Sequence, residues 1–191
     1  MKRRIAAVAL IVVCLSILAY NSLAYFTAED TAHNVITAGA VEISVEEWQQ
    51  TEDGLVPYPK NTPITVMPGT GVSKIVTVKN HDAQSFIRAK LEVTVTDVNG
   101  EEIPFEMDDE IILLAMNTKD WTQKDGWWYY SSSVDPDTAT QPLMTEVKFD
   151  GRNMTNEYQN CTVQINVTAQ AVQAANNADT AWEAVGWPDA E

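Results

Sequence analysis

The sequence is short of basic residues, of histidine and of cysteine, and each shortage closes off a class of chemistry. Twelve lysines and arginines stand against 27 aspartates and glutamates. A chain so acidic does not seek nucleic acid or anionic lipid, whose phosphates call for a basic surface. There are two histidines, His33 and His81, and they do not form an H-E-x-x-H spacing. A zinc protease needs two imidazoles on one side of the metal and a general base, so a metal site would have to be assembled by the fold from His33, His81 and a carboxylate. No G-x-S-x-G elbow, Walker loop or G-x-G-x-x-G occurs, which leaves no signature of a serine hydrolase, a P-loop enzyme or a dinucleotide-binding enzyme. Of the two cysteines, Cys14 follows Val12-Val13 inside an apolar run, which argues against lipoprotein attachment.

What is present begins at the N-terminus. Lys2, Arg3 and Arg4 precede Ile5 to Ala19, fifteen residues without a charge, and Ser22-Leu23-Ala24 puts small residues at the −3 and −1 positions of a cleavage site. Fifteen helical residues rise about 22 Å, short of a hydrocarbon core of roughly 30 Å. The pattern predicts a secretion signal over 1–24, cut between Ala24 and Tyr25 by a signal peptidase, with membrane contact only during export. Cleavage leaves 167 residues, one domain's worth, with nine basic residues against 27 acidic and a charge of −18. Only Cys161 remains, so an internal disulfide is excluded; its place in an apolar row predicts a small buried hydrophobe, with an intermolecular bridge as the alternative. No second long apolar run follows, and the product is expected to be secreted or held at the cell surface by other proteins.

Most of this chain reads as strand. Ile87, Ala89, Leu91, Val93 and Val95 alternate with Arg88, Lys90, Glu92, Thr94 and Thr96. From Cys161 to Ala171 the odd positions are apolar or small and the even positions polar. Period-two alternation places one face on a core and the other toward water, as in an antiparallel sandwich. Pro68-Gly69, Asn99-Gly100 and Asp125-Gly126 read as turns, the last folding Trp121 to Gln123 against Trp127 to Tyr130. The run IILLAM after the acidic stretch 106–110 fits a buried strand or a short helix equally well. In the tail, Ala178, Ala181, Trp182 and Val185 follow helical spacing, with Gly186 and Pro188 as stops, and predict a short amphipathic C-terminal helix.

The carboxylate pairs, such as Asp108-Asp109-Glu110 and Asp135-Pro136-Asp137, read as solvated loop charges, and neither has the glycine and terminal glutamate of a calcium loop. No catalytic residue, cofactor or metal ligand is assigned. In the hairpin, Trp127 and Tyr129 share one face while Trp128 and Tyr130 share the other. One pair enters the core; the other, taken as Trp128 and Tyr130, is a candidate for a protein interface or for stacking on sugar rings, unless neighbouring elements cover it.

The stretch AYFTAEDTAHNVITAGAVEISV, residues 24–45, resembles the N-terminus of the TasA/camelysin family, bacterial proteins exported through the signal peptidase SipW. Tyr25-Phe26 matches that family's aromatic pair, Thr27 to Asn34 its polar stretch, and Ala38-Gly39 its small-residue step into a strand. VMPGTGVSKIVTVKN and SFIRAKLEV, with Arg88, are similar to its Pro-Gly turn and the two strands that follow. The resemblance covers most of the first hundred residues and is looser beyond Gly100. It implies a jelly-roll-like β-sandwich over 41–191 with an extended segment over 25–40. It also implies subunits of biofilm-matrix fibres, each completing the sheet of the next with its N-terminal segment. Tyr25, Phe26, Val35 and Ile36 are the expected anchors, and the partners are the chain itself or related matrix subunits, the alternative being that the segment folds back onto its own domain or dangles. Camelysin-like members imply a zinc metalloendopeptidase as the alternative, and a polysaccharide-binding module is a third.

Overall fold

The structure, a computed structural model, describes the backbone of residues 34–37 and residues 41–59, 64–65, 67–104, 111–152, 154, 158 and 160–188. The expected signal segment over 1–24, including Ala24, and Tyr25, Phe26, His33 and the acidic stretch 106–110 lie outside the described residues.

Twelve strands form among the described residues: β1 (Asn34–Thr37), β2 (Ile43–Thr51), β3 (Gly54–Pro57), β4 (Ile64–Thr65), β5 (Gly71–Asn80), β6 (Ser85–Thr96), β7 (Glu102–Ile103), β8 (Ile112–Met116), β9 (Trp121–Lys124), β10 (Trp127–Tyr130), β11 (Met144–Phe149) and β12 (Thr162–Gln173). One sheet runs β1-β12-β6-β10-β9, with β4 also on β12 and β7 on β6; the other runs β3-β2-β5-β11-β8. The described part is therefore all-β, as the alternation predicts. Pairing is antiparallel except where β1 lies parallel to β12. IILLAM resolves to a strand: β8 pairs with β11, Ile112 opposite Phe149 and Leu113 opposite Lys148.

The two sheets share one apolar interior. Ile43, Val45, Val76 and Val78 of the second sheet cluster with Ile87, Ala89, Val163 and Ala169 of the first. β6 and β12, the two strands of clearest alternation, are direct neighbours in an unbroken twelve-residue ladder from Ser85↔Gln173 to Thr96↔Thr162. Each presents its apolar row inward, so a one-residue slip would turn both rows to water. The turns follow their chemistry. Thr70 N–H donates to Met67 O at 3.1 Å across Pro68-Gly69. Asp125 and Gly126 both have positive φ, +51° and +79°, the type I′ geometry whose twist suits a two-residue hairpin.

The tail corrects an expectation. Residues 174–188 form turns, not a helix. A segment this short cannot recover the cost of helix nucleation, and the Asn177 side chain offers its backbone other partners. Asn177 Oδ1 accepts from the N–H of Ala178 (2.9 Å) and of Val185 (3.0 Å), while Nδ2 donates to Gln173 O and Val185 O, both at 3.1 Å. The inward face changes accordingly. Ala181 and Ala184 are buried with Trp187 beside them, whereas Trp182 and Val185 are 38% and 74% exposed.

Candidate functional site: the β12 edge and the face beside it

Strand β12 carries no charged residue over its twelve positions, TVQINVTAQAVQ. Sheet edges are ordinarily guarded by charge, proline or a bulge, because an unguarded edge pairs with any extended chain. Here the guard is other segments of the same chain. β4 covers Thr162 and Val163, and β1 covers Thr168 to Ala171 in the register Asn34↔Thr168, Val35↔Ala169, Ile36↔Gln170, Thr37↔Ala171. Between them, Gln164 to Val167 have no strand partner on that edge among the described residues. Val35 and Ile36, two of the four expected anchors, thus lie on the β12 edge of their own chain; Tyr25 and Phe26 lie outside the described residues.

The outer side of this sheet carries a second, smaller core. Phe86, Trp127, Tyr129 and Val172 are buried there beneath Ala181, Ala184 and Trp187. Arg88 sits among them. Its Nε donates to Gln170 Oε1 (2.8 Å), Nη1 to Tyr129 Oη (3.3 Å) and Nη2 to Pro188 O (3.2 Å). The guanidinium carbon lies 4.2 Å from the Trp127 ring centroid and 4.7 Å from that of Trp187, so the planar cation is stacked by indoles. Trp187 also meets Tyr129 edge-on, centroids 5.9 Å apart. Among the described residues the ion pairs are Lys74–Glu47, Lys90–Glu92 and Lys148–Glu146, so neutral acceptors and rings hold Arg88. Gln170 is fully buried, and its Nε2 finds no hydrogen-bond partner among the described residues.

Trp128 and Tyr130 face the other way. Both are half-buried against the main core, and Tyr130 tilts onto Trp121 at 5.1 Å and accepts the Gln141 N–H at 3.2 Å. The cover for the Trp127–Tyr129 face comes from Trp187 rather than from Trp182.

The remaining reactive groups lie apart. His81 is exposed, its Nε2 2.7 Å from Ser44 Oγ. No three His, Cys, Asp or Glu gather as metal ligands among the described residues. Cys161 is buried, and desolvation, aided by the Asp97 carboxylate, pushes its thiol pKa up, away from thiolate chemistry. Compared with known proteins, the chain matches no family model, no curated protein and no solved structure.

Sequence reasoning missed Arg88, Gln170 and Trp187 as a unit. The available signal was an arginine placed mid-strand in a chain poor in cations, with a tryptophan, Trp187, given no role near its end.

Proposed function

We propose that this chain is an exported structural subunit of an extracellular matrix or cell-surface assembly. Its N-terminal segment adds to the β12 edge of a neighbouring copy, within a sandwich of jelly-roll type. The observation that carries the reading is the β1–β12 pairing: a short parallel strand from the start of the described chain lies on an uncharged edge. Parallel ladders are slightly weaker per residue than antiparallel ones, and four residues make few bonds, so this strand is readily exchanged. A neighbour's segment continued in the same register would bring positions 30 to 33 against Gln164 to Val167. It would supply backbone partners for that stretch of the edge. The resemblance of residues 24–45 to the TasA/camelysin family points the same way.

Electron microscopy of the purified chain beginning at Tyr25, beside one lacking Tyr25 to Asn34, tests the reading. Fibres are expected from the first and not from the second. A chain that stays monomeric across concentration, pH and added calcium would overturn it.

A further inference from the structure

We propose that residues 174–188 act as a strap that sets how firmly the β12 edge holds an added strand, with Arg88 and Gln170 as positioning residues. The inference deepens the strand-addition reading and rests on it for its biological meaning, but its physical content concerns the single molecule. Gln170 is the meeting point. It lies opposite Ile36 of β1 on one side and opposite Arg88 of β6 on the other. Its amide oxygen is fixed by Arg88 Nε, while its buried Nε2 has no partner among the described residues. A buried donor left unmade carries the desolvation penalty of its group, so what packs around it matters.

The strap reaches Gln170 through its neighbours Arg88 and Val172. Pro188 O takes one guanidinium N–H, Trp187 covers one face of the cation, and Ala181 and Ala184 pack with Val172, two residues beyond Gln170 on β12. The strap is itself anchored at its start and tied within its own loop. The Ala174 N–H donates to Gln84 O at 2.9 Å, and Asn177 binds residues on both sides of its loop. If the strap lifts, Arg88 loses an acceptor and a stacking surface and turns toward water. Gln170 then loses its one fixed bond and its amide rotates to satisfy Nε2. The stretch Thr168–Ala171 slackens where β1 sits. A strap that merely covers an apolar face would stabilise all strands alike and show no dependence on Gln170.

Amide hydrogen exchange of the monomeric chain from Tyr25, measured before any assembly, separates the two. Trp187→Ala and, as the conservative variant, Arg88→Lys should each speed exchange at Asn34–Thr37 and Thr168–Ala171 roughly tenfold, on the order of one charged hydrogen bond. Exchange at Ile43–Trp48 should stay unchanged. In a Gln170→Leu background the effect of Trp187→Ala on the edge should shrink to about twofold or less, because coupling requires the shared partner. Unaltered edge exchange, uniform loosening of every strand, or an undiminished effect in the Gln170→Leu background would each overturn the proposal. Should Trp187→Ala not fold, Arg88→Lys decides by the same readings. The measurement needs no fibres, so a failure to assemble would count against the proposed function and leave this result readable.

Discussion

At Asp97 one carboxylate organises a turn. Oδ1 accepts the backbone N–H of Asn99 and of Glu101, and Oδ2 accepts Asn99 Nδ2, each at 2.8 Å. These bonds, the Glu101 N–H first, hold its pKa below the ordinary 3.8. The native state thus favours the ionised form, and the stability this confers is complete above the unfolded value and lost as pH falls through the native one. Below about pH 4 the urea midpoint of the native chain should therefore fall more steeply than that of Asp97→Asn. Parallel slopes would refute the assignment. Lys74 is a different case, a cation on the core side of β5. Its Nζ lies 2.7 Å from Glu47 and 4.1 Å from the Tyr58 ring centroid, and Tyr58 has its pKa raised by burial and then by Glu47. Glu47→Ala leaves the ammonium buried without its counter-ion and should cost about 3 kcal/mol, whereas Lys74→Met with Glu47→Leu should cost far less. Urea unfolding of the two variants side by side gives the comparison; equal losses would mean that the pair contributes through packing alone.

Among the elements, the β9–β10 hairpin depends on its turn. Gly126 at φ +79° tolerates no side chain without strain, although nothing lies within 4 Å of where a Cβ would be. Gly126→Ala should lower stability by about 1 kcal/mol through backbone conformation, read as a lower melting temperature with an unchanged spectrum. A neutral result would mean that the hairpin adopts another turn. This hairpin and the β6 and β12 strands were legible in the sequence because their signals are local: a Asp-Gly pair and a period of two. The tail was not. Its spacing fits a helix, yet the decisive group is the Asn177 side chain, which ties Val185 eight residues away. The candidate edge was half legible, since Val35 and Ile36 stand where the chain turns apolar, but nothing local reveals that they meet Ala169 and Gln170. The Arg88 cluster was illegible for the same reason, because its partners Gln170 and Pro188 lie 82 and 100 residues along the chain.

For the molecule as a whole, charge and edge pull in opposite directions. The chain beginning at Tyr25 carries −18, so copies repel at a distance, while β12 has no charge of its own and offers only backbone groups and neutral side chains at contact. If copies associate by strand addition as proposed, repulsion between bodies rather than discrimination at the edge sets the limit. The screening length falls from about 30 Å at 0.01 M salt to about 8 Å at 0.15 M, shorter than the separation of most surface charges on two docked domains. Raising ionic strength over that range at fixed neutral pH should lower the concentration at which light scattering first reports assembly, several-fold, with little further change above it. Acidification toward the isoelectric point, about 4.3 for the full 191-residue chain, should act in the same direction by removing charge. A threshold that rises with salt would mean that copies are held by opposite charges on their surfaces. The neutral β12 edge could not then be the contact that joins them.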